Sequence, residues 1–233
     1  MYGPFIRHRR GKFTPDWLHL ASVRLLCEQG ILEHSNDVLK QLTELDRLRP
    51  GSWATGLGNS SQIANTSETS QNKDWAGVEG VWRQLVIWMG YEALVEFQHD
   101  KNNYSLVEHR STHIVVPLYL HVVSYEDDPH GSPLFPIIHF EGQIGGEGWH
   151  VDPEPQHGLD IHPVEGKVCM LSDGSVRWSL ISYTDIAKKE KEWRSEGVQI
   201  GGIGSMAGVL GTWTGADYDP DDPIGGWWRW KVA

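Results

Sequence analysis

Cysteine and positive charge are both scarce in this chain of 233 residues. The two cysteines, Cys27 and Cys169, lie in apolar surroundings and belong to no metal-binding spacing. We therefore expect buried free thiols in a reducing compartment. The net charge of −11 argues against a nucleic-acid-binding surface, which needs clustered positive charge.

Long apolar runs are also missing. No stretch approaches the length that spans a membrane, and the N-terminus lacks the apolar core of a signal peptide. These absences predict an intracellular protein, cytoplasmic or nuclear, with no membrane partner.

Signatures of catalysis are equally absent. The sequence has no Gly-x-Ser-x-Gly elbow, and neither cysteine is flanked like a nucleophile. The adjacent acids Asp127-Asp128 and Asp221-Asp222 lie beside prolines in apparent turns, which is weak support for acid–base chemistry. A non-enzymatic role is therefore favoured, and no cofactor is predicted.

The N-terminal part, residues 1–50, has the pattern of two helices. The first is predicted to have Thr14 as its N-cap and to stop at Gly30, and the second ends at Pro50-Gly51. Residues 51–74 are rich in Ser, Thr and Asn, which is typical of an exposed linker or long loop.

The pattern of residues 75–233 predicts a tryptophan-rich β domain. The whole chain has twelve tryptophans and only five phenylalanines. Asp173-Gly174 is a hairpin signal, because both residues tolerate a positive φ. About eight sequential strands with short turns predict an antiparallel up-and-down barrel, which removes exposed sheet edges. The strand candidates are EGVWRQLVIWMG, THIVVPLYLHVVSY, FPIIHFEG, VEGKVCML, SVRWSLISY, WRSEGVQIG, AGVLGTWTG and GWWRWKV.

The glycine-dense stretch Gly197–Gly215 allows two interpretations. A phosphate-binding loop needs a helix after its glycines, and Gly208 and Gly211 disfavour one. Two neighbouring strands joined by a turn near residues 201–204 are favoured. The glycines would then bend the sheet and let tryptophan rings lie flat on the backbone, with Trp178, Trp193 and Trp213 as the candidate rings.

Polar residues interrupt several of the apolar strands. Arg194 and Glu196 share one strand face with Val198, because strand side chains alternate. An outward orientation, which is favoured, makes them ordinary solvated side chains. An inward orientation would create a polar, tryptophan-lined cavity for a small ligand. The polar strand residues are Gln84, Arg177, Arg194, Glu196 and Gln199.

The segment HVDPEPQHGLDIHP contains the only metal-like pattern. His150-x-Asp152 resembles half of a two-histidine, one-carboxylate iron site, and His157 or His162 would supply the remaining ligand. A solvated, proline-rich loop is favoured instead, so no metal is predicted. The four residues His150, Asp152, His157 and His162 remain the alternative.

The β region resembles the C-terminal region of a family of fungal F-box proteins. The segments that carry the likeness are GKVCMLSDGSVRWSLIS, WRSEGVQIGGIGSMAGVLGTWTGADYD, DPIGGWWRWKV, DWAGVEGVWRQLVIWMGYEAL and PIIHFEGQIGG. It covers residues 75–233 and implies a substrate-recognition role in a cullin-type ubiquitin ligase. An F-box opens on Leu-Pro and has three helices, whereas residues 13–49 give two. The resemblance therefore implies a ligase adaptor as partner only if an F-box precedes this chain.

A second resemblance concerns barrel closure. Gly80-Val81-Trp82 is similar to the Gly-x-Trp of the first strand in lipocalin-like barrels, where an arginine near the last strand stacks on the tryptophan. Arg229 is the corresponding residue, so Gly80, Trp82 and Arg229 are expected to form the barrel-closing motif.

The leading hypothesis is a recognition domain whose barrel holds a ligase substrate or another ligand. The alternative is a small-molecule-binding barrel, or a barrel enzyme, that uses a polar cavity and the His150–His162 loop. The candidate contact residues are Gln84, Trp178, Trp193, Arg194, Glu196, Trp213 and Trp228.

Overall fold

The computed structural model describes residues 3–33, 74–88, 112–129, 133–146, 161–187, 189–203, 205, 207–219 and 222–232. Its elements, in chain order, are β1 (Phe5–Arg7), a 3-10 turn (Arg9–Gly11), β2 (Phe13–Pro15), α1 (Trp17–Glu33), β3 (Gly80–Trp88), β4 (Thr112–Glu126), β5 (Ile137–Gly145), β6 (Ile161–Met170), β7 (Val176–Asp185), β8 (Glu190–Gln199), β9 (Val209–Gly215) and β10 (Ile224–Lys231).

The strands β3 to β10 form a closed antiparallel barrel in the order β10-β3-β4-β5-β6-β7-β8-β9. Each strand pairs with its neighbour in the chain, and β10 closes the barrel on β3 with Arg229 opposite Gln84. The predicted up-and-down barrel of about eight strands is confirmed. All eight strand candidates of the sequence overlap strands β3 to β10.

Alternation along β7 separates the inside of the barrel from the outside. Val176, Trp178 and Leu180 are buried in the interior cluster, whereas Arg177 and Ser179 point outward. The hairpin that precedes β7 is also confirmed. Its turn is wider than the Asp173-Gly174 pair implies: Gly174 alone of the two has a positive φ, and Leu171 N donates to Ser175 O at 2.7 Å.

The helix α1 begins two residues later than predicted. Thr14 is in strand β2, and Asp16 is the N-cap, since its Oδ1 accepts a hydrogen bond from His19 N at 3.0 Å. Gly30 does not end the helix, which continues to Glu33. Among the described residues α1 is the only α-helix; the second predicted helix and the linker 51–74 lie outside them, apart from Asp74.

The helix α1 packs on the outside of the barrel, across β3, β9 and β10. The helix residues that face the barrel, Leu20, Val23 and Cys27, recur at helical spacing. Gly30 continues this face, and its missing side chain leaves room for Ile87. This outer cluster explains why several outward strand positions are apolar. The buried residues of the cluster are Leu20, Val23, Cys27, Leu85, Ile87, Val115, Val198, Leu210 and Trp230.

A short segment before β3 covers one end of the barrel. Trp75 Nε1 donates to Pro136 O at 2.7 Å, and the Asp74 carboxylate accepts hydrogen bonds from Val78 N and Glu79 N. Trp75 and Val78 are buried in the interior cluster. We call this end, formed by residues 74–79, the closed end of the barrel. No helix in the described part of the chain has the length and apolar character needed to cross a membrane.

Candidate functional site

Large aromatic rings fill the barrel interior next to the closed end. Trp82 and Trp178 meet edge to face with ring centroids 5.3 Å apart, and the Phe140 centroid lies 5.8 Å from that of Trp178. Trp82 Nε1 donates to Val78 O at 2.9 Å, and Trp178 Nε1 donates to Gln199 Oε1 at 3.1 Å. Both indole donors are therefore satisfied within the barrel.

Arg229 lies inside the barrel, where it is 0 % exposed. Its Nε and Nη2 donate to Gln84 Oε1 at 2.9 and 2.5 Å. No carboxylate of the described residues pairs with it. The guanidinium is thus a buried cation whose one polar partner among these residues is a neutral amide.

Burial has a clear electrostatic effect on Arg229. Desolvation disfavours the charged guanidinium and lowers its pKa to about 9. The group is still protonated at neutral pH, so the interior carries a positive charge.

The rings nearest to the Arg229 guanidinium are those of Trp227 and Trp178. The guanidinium carbon lies 4.6 Å from the Trp227 ring centroid and 5.9 Å from that of Trp178. The cation placed over Trp82 is Lys231, at 6.0 Å, where the lipocalin-like motif led us to expect Arg229. Gly80 and Trp82 do lie on β3 beside β10, as expected of residues at the barrel closure.

Three hydrogen-bond donors in the interior have no partner. They are the Arg229 Nη1, the Trp227 Nε1 and the hydroxyl of Ser195. Trp227 is fully buried and Ser195 is 5 % exposed. Buried polar atoms in folded proteins are almost always hydrogen-bonded, so each of these three donors lacks an acceptor that the described residues do not supply. Buried nitrogens of Arg83, Arg194 and Trp230, which face outward, also lack a partner.

Glycines on β8 and β9 make room for the Trp227 ring. A Cβ on Gly197 would lie 2.4 Å from Trp227 Cη2, and one on Gly211 would lie 2.5 Å from Cζ2. Two strands joined through the glycine-rich turn, rather than a phosphate loop, are confirmed. The ring that lies on this bare backbone is Trp227, which differs from the three tryptophans expected.

The end of the barrel opposite the closed end carries a second aromatic pair. Trp193 and Trp213 meet edge to face at 5.0 Å, and Trp213 Nε1 donates to Ile87 O at 3.2 Å. Trp193 is 37 % exposed. We call this the far end of the barrel; residues 89–111 and 147–160, which connect strands there, lie outside the described residues. Trp228 points outward instead and donates to Ala207 O at 2.8 Å.

Arg194 and Glu196 face outward, as favoured from the sequence. Glu196 Oε2 accepts hydrogen bonds from Arg177 Nε at 2.9 Å and Ser179 Oγ at 2.8 Å. The expectation of ordinary solvated side chains is wrong for Glu196, which is only 9 % exposed. We call Arg177 and Glu196 the outer pair. Phe5 and Phe13 of the β1–β2 hairpin lie over it, with their ring centroids 4.8 and 5.3 Å from the Arg177 guanidinium carbon.

A groove of about 710 Å³ runs along the outer wall beside this pair. Its side chains include Glu165, Lys167, Cys169 and Arg194, so both signs of charge are present. Glu165 Oε1 accepts a hydrogen bond from the Tyr183 hydroxyl. The thiol of Cys169 is half-buried, and desolvation raises its pKa, so it is not an activated nucleophile.

Of the four residues of the alternative metal site, His162 alone lies among the described residues. Its Nδ1 lies 2.9 Å from Glu192 Oε2, so an ion pair occupies this ring nitrogen when the ring is protonated. His150, Asp152 and His157 lie outside the described residues. Within the described ranges no group of histidine, cysteine or acidic side chains could hold a metal ion.

The structure therefore divides the predicted contact residues. Gln84 and Trp178 lie in the interior, as Arg229 does. Trp193 and Trp213 lie at the far end. Arg194, Glu196 and Trp228 face outward. Sequence reasoning did not select Ser195 as a contact residue.

Comparison with known proteins adds nothing to this geometry: no family model matches the chain, and no match was found among curated proteins or solved structures.

Proposed function

We propose that the barrel is a non-enzymatic binding protein that holds a small organic anion in its interior, with Arg229 as the anion-binding group. The observation that carries this proposal is the fully buried guanidinium of Arg229, which has a neutral amide as its partner and a free Nη1. An anion would supply both the missing charge and the missing acceptor.

The energetics favour a ligand over a purely structural role for Arg229. A buried ion without a counter-ion costs several kcal/mol, about 3–5 when one partner of a pair is removed. Gln84 offsets only part of this cost, because an amide oxygen carries no net charge. A structural cation can be replaced by an apolar side chain at little cost, whereas a binding cation is needed for its charge.

The surroundings of Arg229 suit a small organic molecule. Ligand sites are concave and mostly apolar, with a few polar groups that fix the orientation. The guanidinium carbon of Arg229 lies 4.6 and 5.9 Å from the ring centroids of Trp227 and Trp178, so apolar surface adjoins the cation. The outer groove also holds an unsatisfied arginine nitrogen, Arg194 Nε, but its lining includes the carboxylates of Glu165 and Glu196 as well.

Direct titration tests the proposal. The purified protein is titrated with small carboxylates by calorimetry, and binding is followed in parallel by tryptophan fluorescence. We expect saturable binding that Arg229→Met abolishes and that Arg24→Met, a change on the exposed surface of α1, leaves intact. Equal binding by wild type and Arg229→Met would overturn the proposal.

The recognition role within a ubiquitin ligase stays a prediction. It rests on the F-box resemblance and concerns a protein partner that the barrel interior neither requires nor excludes. Pull-down of the ligase adaptor with this chain, and with a longer gene product, tests it. Recovery with the longer product alone would assign adaptor binding to a preceding F-box, and recovery with neither would remove the prediction.

A further inference from the structure

We infer that the outer face of α1 is the docking surface for residues 36–49 of the same chain, which pack on it as a second helix antiparallel to α1. The inference goes beyond the proposed function, because it concerns the outside of the barrel and does not depend on Arg229. It follows from the exposed side chains of α1, the short connection after this helix and the pattern of the residues that follow.

The face of α1 that points away from the barrel is apolar. Leu18 and Leu25 are 80 % and 67 % exposed, and Leu26 is 45 % exposed. At 3.6 residues per turn, Leu18 and Leu25 lie on one stripe, on the opposite side of the helix from Val23 and Cys27, which pack on the barrel. Leu26 borders this stripe. A helix that is apolar on both faces is normally buried on both, so the outer face of α1 calls for a cover.

Small exposed residues separate the leucines of this face. Ala21 and Ser22 lie between Leu18 and Leu25, and both are exposed. They leave a shallow groove that the side chains of another helix can enter. Ser22 Oγ donates to Leu18 O at 3.0 Å, so this hydroxyl already has an acceptor within α1. The middle of the face can therefore be covered by apolar side chains without leaving that hydroxyl unpaired.

The chain that follows α1 has the pattern of a helix with one apolar face. Val38, Leu42 and Leu45 recur at i, i+4 and i+7. Asn36 is a suitable N-cap, and Pro50-Gly51 ends the pattern. A helix of this length, about 20 Å, is marginal alone in water and gains its stability by packing its apolar face.

The short connection determines where this second helix lies. His34 and Ser35 separate Asn36 from Glu33, the last residue of α1. Such a connection spans about 10 Å, which is close to the distance between the axes of packed helices. Two helices joined by so few residues form an antiparallel hairpin. Because the barrel occupies the inner face of α1, the second helix packs on the outer face.

The antiparallel arrangement sets a register between the leucines. With a rise of about 1.5 Å per residue, Leu45 lies about 13 Å from the start of the second helix, and Leu25 lies about 12 Å from the end of α1. These two leucines are therefore level, and Leu42 is level with Leu26 by the same measure. Leu18 lies about 22 Å from the end of α1, beyond the last turn of the second helix.

Tethering favours this segment over an outside partner. A group held by a short connection has an effective concentration of about millimolar, which a free partner of equal affinity would have to reach to compete. The side of the second helix opposite its apolar face carries Lys40, Glu44 and Arg47, which suits a face in contact with water.

Engineered disulfides in the intact chain test the arrangement. Leu25→Cys/Leu45→Cys places two thiols at level positions, and the matched pair Leu25→Cys/Arg47→Cys places the second thiol on the opposite side of the predicted helix. We expect the first pair to form an intramolecular disulfide at least about tenfold faster than the second, because distant Cα atoms cannot be bridged. Mass spectrometry of digested, unreduced protein identifies the linked peptides.

Alanine variants supply a second measurement, by circular dichroism. Leu25→Ala should lower the melting temperature by about 3 °C or more, because a covered leucine loses its apolar contacts. Leu18→Ala, on the same face but beyond the second helix, should change it by less than about 1 °C. Leu45→Ala should also lower it, and its effect should not add to that of Leu25→Ala, since both remove the same contact.

The outcomes distinguish the possible occupants of this face. Equal disulfide rates for the two cysteine pairs would overturn the antiparallel pairing. An unchanged melting temperature of Leu25→Ala would show that nothing covers this leucine, and would overturn the inference as well. A disulfide between two molecules of Leu25→Cys, together with a dimer on size-exclusion chromatography, would assign the face to a second copy of the chain instead.

Discussion

Arg229 and Gln84 are directly opposite each other where β10 closes the barrel on β3, and the guanidinium donates two hydrogen bonds, from Nε and Nη2, to the Gln84 Oε1. The strand pair that closes the barrel thus also holds its buried cation. Closure fixes the position of the guanidinium, and its free Nη1 is left for another acceptor.

Removing the amide while keeping the cation should be severely destabilising. Gln84→Leu leaves the fully buried Arg229 without an acceptor among the described residues, and we expect the free energy of unfolding to fall by about 3 kcal/mol or more. Urea denaturation followed by tryptophan fluorescence measures this loss.

The double variant Gln84→Leu/Arg229→Met supplies the control. It removes both the charge and the amide, so most of the lost stability should return, and the two changes should be strongly non-additive. Arg24→Met, at an exposed pair of α1, should change stability by no more than about 0.5 kcal/mol. Additive effects of the two interior changes would contradict the pairing.

The barrel could be predicted from the sequence because its signals are local. Alternating apolar residues mark most strands, and glycine-containing turns such as the one at Gly174 separate several of them. The order of an up-and-down barrel then follows from the order of the chain. The helix start was wrong by two residues because Thr14, Pro15 and Asp16 all carry start signals, and only the side chain of Asp16 reaches the helix.

The site could not be predicted because it depends on contacts between distant residues. Gln84 and Arg229 are 145 residues apart, and the sequence Trp227–Trp230 places large rings on both faces of β10. The usual rule that the apolar face points inward fails here, because α1 buries the outer face as well. The same ambiguity affected Glu196, whose outward neighbour Val198 lies beneath α1.

Because Trp227 packs closely against β8 and β9, replacing Gly197 by alanine should destabilise the protein. The new Cβ would lie 2.4 Å from Trp227 Cη2 and 2.8 Å from Leu210 O, so the ring or the strand must move. We expect Gly197→Ala to lower the free energy of unfolding by about 1–3 kcal/mol. Chemical denaturation measures it.

A second-site change distinguishes ring contact from backbone strain. Trp227→Phe removes the part of the indole that meets Gly197, so Gly197→Ala should cost less in that background than in wild type. An unchanged cost would assign the clash to the backbone oxygen of Leu210 rather than to the ring. Gly226→Ala, whose nearest neighbour would be Val23 Cγ1 at 3.1 Å, is the milder comparison and should cost less than Gly197→Ala.

The outer pair of Arg177 and Glu196 should hold the β1–β2 hairpin in place. Burial lowers the pKa of Arg177, but the hydrogen bond and charge of Glu196 outweigh it, so the net pKa lies above its ordinary value. Glu196→Gln removes this charge, and we expect a loss of about 1–3 kcal/mol. Hydrogen exchange should show faster exchange in β1 and β2.

The matched control for Glu196→Gln is Glu28→Gln, which removes the charge of the exposed partner of Arg24 on α1. That change should cost no more than about 0.5 kcal/mol and should leave hydrogen exchange in the hairpin unchanged. Unaltered protection of β1 and β2 in Glu196→Gln would show that Phe5 and Phe13 hold the hairpin without the ion pair.

The buried thiol of Cys27 should make the stability of the protein fall at alkaline pH. Desolvation by burial, with a smaller contribution from the charge of Glu28, raises the pKa of Cys27 from 9.0 to about 12. The unfolded chain releases this proton near pH 9, whereas the folded chain keeps it until about pH 12, so the stabilising contribution is intact below pH 9 and is lost progressively above it. Between pH 8 and pH 10, wild type should therefore lose about 1.4 kcal/mol more of its free energy of unfolding than Cys27→Ala. Urea denaturation of both proteins at the two pH values, with a reductant present, measures the difference. Parallel pH profiles for the two proteins would mean that the thiol is accessible to solvent and not held between α1 and the barrel.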